Sequence, residues 1–280
     1  MITSKRSTLM LPVCTHASAD VCGARCTVAA MTDPRWRLPT ARTAERKRAV
    51  RQRDPNEGPW LYRLVAILVT LLVRPFVDID ARRLQIAEQH RTAVVIANHR
   101  SYFDVIVGLV VFHRLGRYPR VMVAAHWFEH RLLGVLLRWA GAIPMDQADA
   151  AVHLDGARRV LDAGIPILVM PEGVLAGEPG KPTSLGKFKT GAARLAHHCD
   201  VRIWALAIVG SDVVWPHTRR FPRLRTDSFR RHHVLVLGDD ELIPIDGDAA
   251  ADTERTRERM TQLLLEASEL RSAAEIPYRS

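Results

Sequence analysis

Residues 94–108, VVIANHRSYFDVIVG, pass from an apolar β-branched run into a second apolar run through a short polar link. The first run, 93–97, reads as a strand. Ser101 stands three residues ahead of Asp104 and just before the second run, the pattern of a capping box, with Ser101 as N-cap and Asp104 in the first turn of a helix. His99 lies in the lead-in between the two elements. A His five positions before an Asp across such a turn can donate its Nδ1–H to the carboxylate and keep Nε2 free to take a proton from a hydroxyl. The pair is a candidate general base with its orienter.

Outward from this unit the same alternation continues. Short apolar strands are expected at 121–124, 165–170, 203–208 and 234–237, with helices at 102–115, 130–139, 149–163, 185–198 and about 253–270. In the last helix Met260, Leu263, Leu264, Ala267 and Leu270 share one face. Alternating strands and helices give an α/β fold, a mixed but largely parallel sheet flanked by helices. Function in such sheets gathers in the loops that leave the carboxyl ends of the strands.

Before the sheet, residues 64–73 read LVAILVTLLV between Arg63 and Arg74, with Trp60 and Tyr62 ahead and Pro75 behind. Ten helical residues reach about 15 Å, roughly half a hydrocarbon core, so a transmembrane span is not expected. Two readings stand: a helix buried in the core, or a short membrane-interface helix over 60–77 with aromatic and Arg anchors.

The chain has 280 residues, 48% of them hydrophobic, enough for a sizeable core in one large or two small domains. Its net charge of +10 invites an acidic partner. Six of those units come from residues 1–59, a segment rich in Arg, Thr, Ala and Pro with no apolar period, expected to be a disordered basic tail rather than a signal peptide. Met31 offers a second start, in which case residues 1–30 are not translated and the cluster Cys14, Cys22 and Cys26 carries no meaning. Four Cys are too few for a disulfide scaffold, which points to a reducing compartment. In the body, charge concentrates between His217 and His233, where Arg219, Arg220, Arg223, Arg225, Arg230 and Arg231 face only Asp227. This is either a solvated loop or a patch for phosphates or an anionic membrane.

The spacing of His99 and Asp104 alone has little weight, since the His and Asp content yields about 0.8 such pairs by chance. With Asn98 directly before His99, in a chain holding Asn at only two places, the chance expectation falls below about 0.01. At Asn98, His99, Ser101 and Asp104 the sequence resembles the glycerolipid acyltransferases of the lysophosphatidate acyltransferase type, whose first motif is Asn-His-x-Ser-x-x-Asp. Their second motif, Gly-x-Ile-x-x-Asp-Arg, is matched at Gly141, Ile143 and Asp146, but Gln147 replaces the Arg. The third, Phe-Pro-Glu-Gly-Thr-Arg, stands as Met170, Pro171, Glu172, Gly173, Val174 and Leu175. A following Phe-Lys-x-Gly segment is present as Phe188, Lys189 and Gly191, with Lys187 alongside, and the fourth motif corresponds to 203–210, with Ala205 where a Pro is usual.

The resemblance implies a 78–250 acyltransferase domain followed by a C-terminal amphipathic helix at 251–280. It implies transfer of a fatty acyl group from acyl-CoA or acyl carrier protein, as co-substrate, to the hydroxyl of a lysolipid acceptor. His99 and Asp104 would be catalytic; Asn98, Ser101, Glu172, Gly173, Lys187 and Lys189 would bind substrate; no metal and no other cofactor is called for. It further implies a monotopic or peripheral protein at the cytoplasmic face of the cell membrane, in contact with anionic lipid. Loss of both phosphate-fitting arginines suggests an acceptor other than lysophosphatidate, or replacement by Lys187, Lys189 and Arg100. The alternative is an inactive membrane-bound relative that acts as a binding protein. Nucleic-acid binding is not expected, because no recognised motif accompanies the Arg-rich loop, and no Gly-x-Ser-x-Gly elbow supports a serine hydrolase.

Overall fold

A computed structural model describes residues 59–81, 84, 92–145, 150–178, 181, 183–223 and 231–275. The tail, Asp146 and Gln147 of the second motif, and Arg225 and Arg230 of the basic loop lie outside the described residues. The described elements, in chain order, are α1 (Pro59–Val73), β1 (Val77–Asp80), β2 (Val94–Ala97), α2 (Phe103–Arg114), β3 (Arg120–Ala124), a 3-10 turn (Ala125–Glu129), α3 (Arg131–Trp139), β4 (Ile143–Met145), α4 (Ala150–Asp162), β5 (Ile167–Val169), α5 (Gly191–Cys199), β6 (Ile203–Val209), α6 (Ser211–Val214), β7 (His232–Gly238) and α7 (Ala249–Glu275).

The strands form one seven-stranded sheet in the order β1-β7-β6-β2-β5-β3-β4. Every pairing is parallel except β6 with β7, so the sheet is mixed and largely parallel, as the alternation predicts. β2 lies at its centre, Val94 to Ala97 fully enclosed, because a parallel strand covered on both faces must be apolar on both. On one face Phe103, Val107, Val110, Val111 and Phe112 of α2 pack on Val95, Ala97, Trp204, Leu206 and Val236. On the other, Ala157, Leu161, Ala192 and Leu195 join Met260, Leu263, Leu264 and Ala267 of α7 over Val94, Ile96, Ile203 and Ala205. The C-terminal helix is therefore part of the domain core, and it runs over 27 residues.

Two strands were not expected, β1 and β4, and both are edges of the sheet. The helix expected from 185 begins only at Gly191, since residues 184–189 are used as a loop that contacts the site. Helix α1 is buried along one side only. Ala66 is buried, and Val69 and Val73 pack on the α2 cluster, while Trp60, Leu64, Leu68, Leu71 and Leu72 stand exposed. Among the described residues no helix is long and apolar enough to cross a membrane.

Candidate functional site

The site forms where β2 ends. Asn98, the first residue beyond the strand, is completely buried. Its Nδ2 donates to the Ile208 carbonyl at 2.9 Å and its Oδ1 accepts from the Ile208 amide at 2.7 Å. Asn presents a donor and an acceptor in one plane, so it closes a two-bond clasp on a neighbouring strand that Asp or Leu cannot. Both amide atoms are spent on β6, and Asn98 holds the lead-in to the site instead of facing a ligand.

His99 follows, its side chain 19% exposed, with Nδ1 at 3.2 Å from Asp104 Oδ2. The same oxygen accepts the backbone amides of Arg100 and Ser101, each at 2.8 Å. Three donors on one oxygen of a fully buried carboxylate fix its orientation, and with it the imidazole plane. Oδ1 accepts nothing, and Asp104 lines a small pocket together with Ala97, Val107 and Leu168. With Nδ1 committed, Nε2 is the nitrogen available to a substrate.

Ser101 and Asp104 hold the turn together, but the helix cap falls at Tyr102 and not at the expected Ser101, because the helix begins one residue later, at Phe103. The Ser101 Oγ accepts from the Phe103 amide at 2.9 Å while its own amide goes to Asp104. The Ser101 hydroxyl donates to the Trp215 carbonyl at 2.6 Å, and Ser101 bridges to Pro216. It too is buried to zero and occupied by backbone. The bridge also bolts the described part of the Arg-rich loop to the turn from His99 to Asp104. The Tyr102 and Trp215 rings lie 5.6 Å apart, Trp215 Nε1 donates to the Arg219 carbonyl, and Arg219, Arg220 and Phe221 are exposed beyond them.

The loop after β5 supplies the opposite wall. Glu172 is 2% exposed; its Oε1 accepts the His99 amide at 3.3 Å and its Oε2 the Gly186 amide at 3.2 Å. Burial pushes its carboxyl above the usual range, opposed by those two amides. Gly173 has a φ of +67°, and a Cβ there would lie 2.7 Å from Lys189 Nζ, so only glycine lets the chain turn left-handed with the ammonium laid across it. Lys187 and Lys189 are exposed, Val174 is exposed and Leu175 half-buried.

Arg100 does not serve as a spare cation for substrate. Its guanidinium is 3% exposed and donates to the carbonyls of Ser184 (2.6 Å) and Glu178 (3.0 Å) and to Asp212 Oδ2 (3.2 Å). A buried guanidinium must find such partners, and these tie the loop after β5 to α6. No sequence signal marks Arg100 for that task, because its partners are two carbonyls and a carboxylate far away in the chain. Among the described residues no cluster of His, Cys, Asp or Glu could hold a metal ion.

Residues 78–209 match the family model described as Acyltransferase. A Mycoplasma pneumoniae protein named "Probable 1-acyl-sn-glycerol-3-phosphate acyltransferase" is 23% identical over 191 residues, 66% of this chain and 68% of the relative. The chloroplastic 1-acyl-sn-glycerol-3-phosphate acyltransferase LPAT1 of Arabidopsis thaliana is 23% identical over 58% of this chain, which spans only 45% of that relative's length. Among solved structures, the 1-acyl-sn-glycerophosphate (LPA) acyltransferase PlsC of Thermotoga maritima superposes with a TM-score of 0.54 at 16% identity, covering 81% of this chain and 87% of that one. At that identity the likeness speaks for the fold.

Proposed function

We propose, for a chain whose residues 78–209 match the acyltransferase family model, that it moves a fatty acyl group from a thioester to the hydroxyl of a lysolipid. The observation that carries the reading is the His99–Asp104 pair at 3.2 Å at the end of the central strand. His99 Nε2 takes the acceptor's hydroxyl proton as that oxygen attacks the thioester carbonyl. Asp104 holds the ring and stabilises the imidazolium as it forms. The new C–O ester bond forms, the C–S bond breaks, and the departing thiolate takes the proton from His99. No acyl-enzyme is needed.

The donor is acyl-CoA or acyl carrier protein. Supporting an anionic donor, Arg219 and Arg220 stand on a loop joined to Ser101 through Trp215 and Pro216. The acceptor differs from lysophosphatidate. Val174 and Leu175 leave the loop after β5 apolar where the family has Thr and Arg, and Arg100 is turned into the protein. Neither aliphatic side chain can form the bidentate fork that a phosphomonoester takes. The protein works on the cytoplasmic face of the cell membrane, resting there on the exposed leucines of α1.

An acceptor panel tests the substrate reading. Lysophosphatidate is compared with lysophospholipids of larger head group and with ornithine- and sugar-based lipids. Preference for the latter groups is expected, and a strong preference for lysophosphatidate would show that Lys187 and Lys189 have taken over the phosphate.

A further inference from the structure

Helix α3 is built inside out. Leu132, Val135 and Leu136 form one stripe and all three are exposed, Leu132 at 89%, while the single buried residue of the helix is Gly134. A Cβ at Gly134 would lie 2.2 Å from the Phe128 carbonyl oxygen, so the helix backbone presses directly on the preceding 3-10 turn. Arg138 secures the same side by donating to that carbonyl at 3.0 Å. Packing thus turns Gly134 inward and leaves Leu132, Leu133, Val135 and Leu136 exposed, with Leu137 and Trp139 half-buried, the reverse of a helix that covers a core with its leucines. Trp127 continues the apolar surface, 43% exposed, its ring stacked on His130 at 5.3 Å. An apolar patch of this density on a folded domain marks a contact surface.

We propose that α3 and Trp127 enter the headgroup margin of an anionic bilayer, as a second contact beside α1 that brings the His99 end of the sheet to the lipid. This rests on the lysolipid acyltransferase reading above. Three observations select a bilayer. The first is charge: residues 126–139 hold the exposed Arg131 and Arg138 against Glu129 alone, which suits anionic headgroups around a leucine wedge.

The second is continuity with α1. Tyr62 packs edge-on against Tyr118 at 4.9 Å, and Arg63 Nε donates to the Tyr118 hydroxyl at 2.8 Å. Two residues on, Arg120 donates to Ala140, the residue that ends α3, at 3.0 Å. The start of α1 and the end of α3 thus each rest on the segment 118–120, a shared meeting point.

The third is direction. That meeting point lies where β3 begins, away from His99, which follows the far end of the parallel β2. From the site end of β3 the 3-10 turn leads straight into α3. Helix α1 ends ahead of β1, which through β7 runs opposite to β2 and so begins toward the site end. A bilayer met by both helices runs up to that end, which shortens the path for two water-insoluble acyl chains.

The test uses the full chain and vesicles of phosphatidylcholine with and without phosphatidylglycerol, comparing wild type with L132E/L136E and with the uncharged L132S/L136S. Both pairs sit on exposed positions outside the catalytic machinery. Flotation is expected to show at least a tenfold weaker partition for both, and acyl transfer to a vesicle-borne acceptor should fall with it, while transfer between short-chain, water-soluble substrates stays unchanged. Wild-type partition in both variants overturns the proposal. So does sedimentation without lipid in which wild type is a dimer and the variants are monomers, because the face then meets a second copy. If no variant, wild type included, transfers acyl groups to any soluble acceptor, the activity reading fails while the flotation result still decides the surface.

Discussion

The turn after β2 and the loop after β5 occupy equivalent places, each leaving the carboxyl end of a neighbouring parallel strand, yet they use their residues in opposite ways. After β2, Asn98 is clasped to Ile208, Ser101 to Trp215 and Phe103, and Asp104 to His99 and two amides. After β5, two amides hold Glu172 and Arg100 holds the carbonyls of Glu178 and Ser184, while the side chains of Val174, Lys187 and Lys189 are exposed. The difference teaches that the first turn is a frame, in which each residue type is dictated by a buried partner, and the second is a wall that a substrate can reshape. The matched motif is complete in the frame and altered in the wall. Burial holds the side chains of the first; in the second it holds Glu172 and leaves Val174, Lys187 and Lys189 open to a ligand.

Substitutions that break the frame should cost most. Asp104→Asn retains an acceptor for the Arg100 and Ser101 amides but removes the charge that stabilises the imidazolium. The account expects transfer to fall by about 10²–10⁴-fold with the circular dichroism spectrum kept, and a loss under fivefold would remove Asp104 from the mechanism. Asn98→Ala leaves the amide and carbonyl of Ile208 unpaired in the core, at a cost on the order of 2–4 kcal/mol. Urea denaturation reads this directly, and an unchanged midpoint would mean that the clasp to β6 carries no weight.

The wall should respond in substrate preference. Leu175→Arg restores a guanidinium beside Gly173 and is expected to raise kcat/KM for lysophosphatidate by about tenfold relative to a larger-headed lysophospholipid. An unchanged ratio would show that the phosphate, if bound, sits elsewhere. The smallest effect concerns Glu172. Burial raises its carboxyl in the folded state, so between the unfolded and folded values the native protein binds the extra proton, and stability falls as pH rises through that window. Unfolding free energies measured at a series of acidic pH values should decline with pH more steeply for wild type than for Glu172→Gln. Parallel curves would contradict the assignment.

Much of this arrangement is legible from residues alone, and the exceptions share a cause. The central strands stand out because burial on both faces requires continuous apolar runs. The two unexpected strands are edges, where β1 tolerates Asp78 and Asp80 and β4 tolerates Pro144, since an edge leaves backbone groups and one flank unpaired. The turn from His99 to Asp104 is legible because its partners are local. The clasp of Asn98, the buried station of Arg100 and the bolt from Ser101 to Trp215 depend on partners roughly 80 to 115 positions away. No spacing rule reaches that far. The outward leucines of α3 are not legible either, because periodicity tells that a helix has an apolar face but not which way tertiary packing turns it.

The central claim is that His99 removes the acceptor's proton. Purified wild type and His99→Ala, matched for folding by circular dichroism and thermal midpoint, are given a labelled acyl thioester and the acceptor preferred in the panel, and the ester product is quantified by mass spectrometry. The account predicts product formation by wild type and at least a hundredfold loss in His99→Ala at an unchanged midpoint. Equal product from both would contradict it.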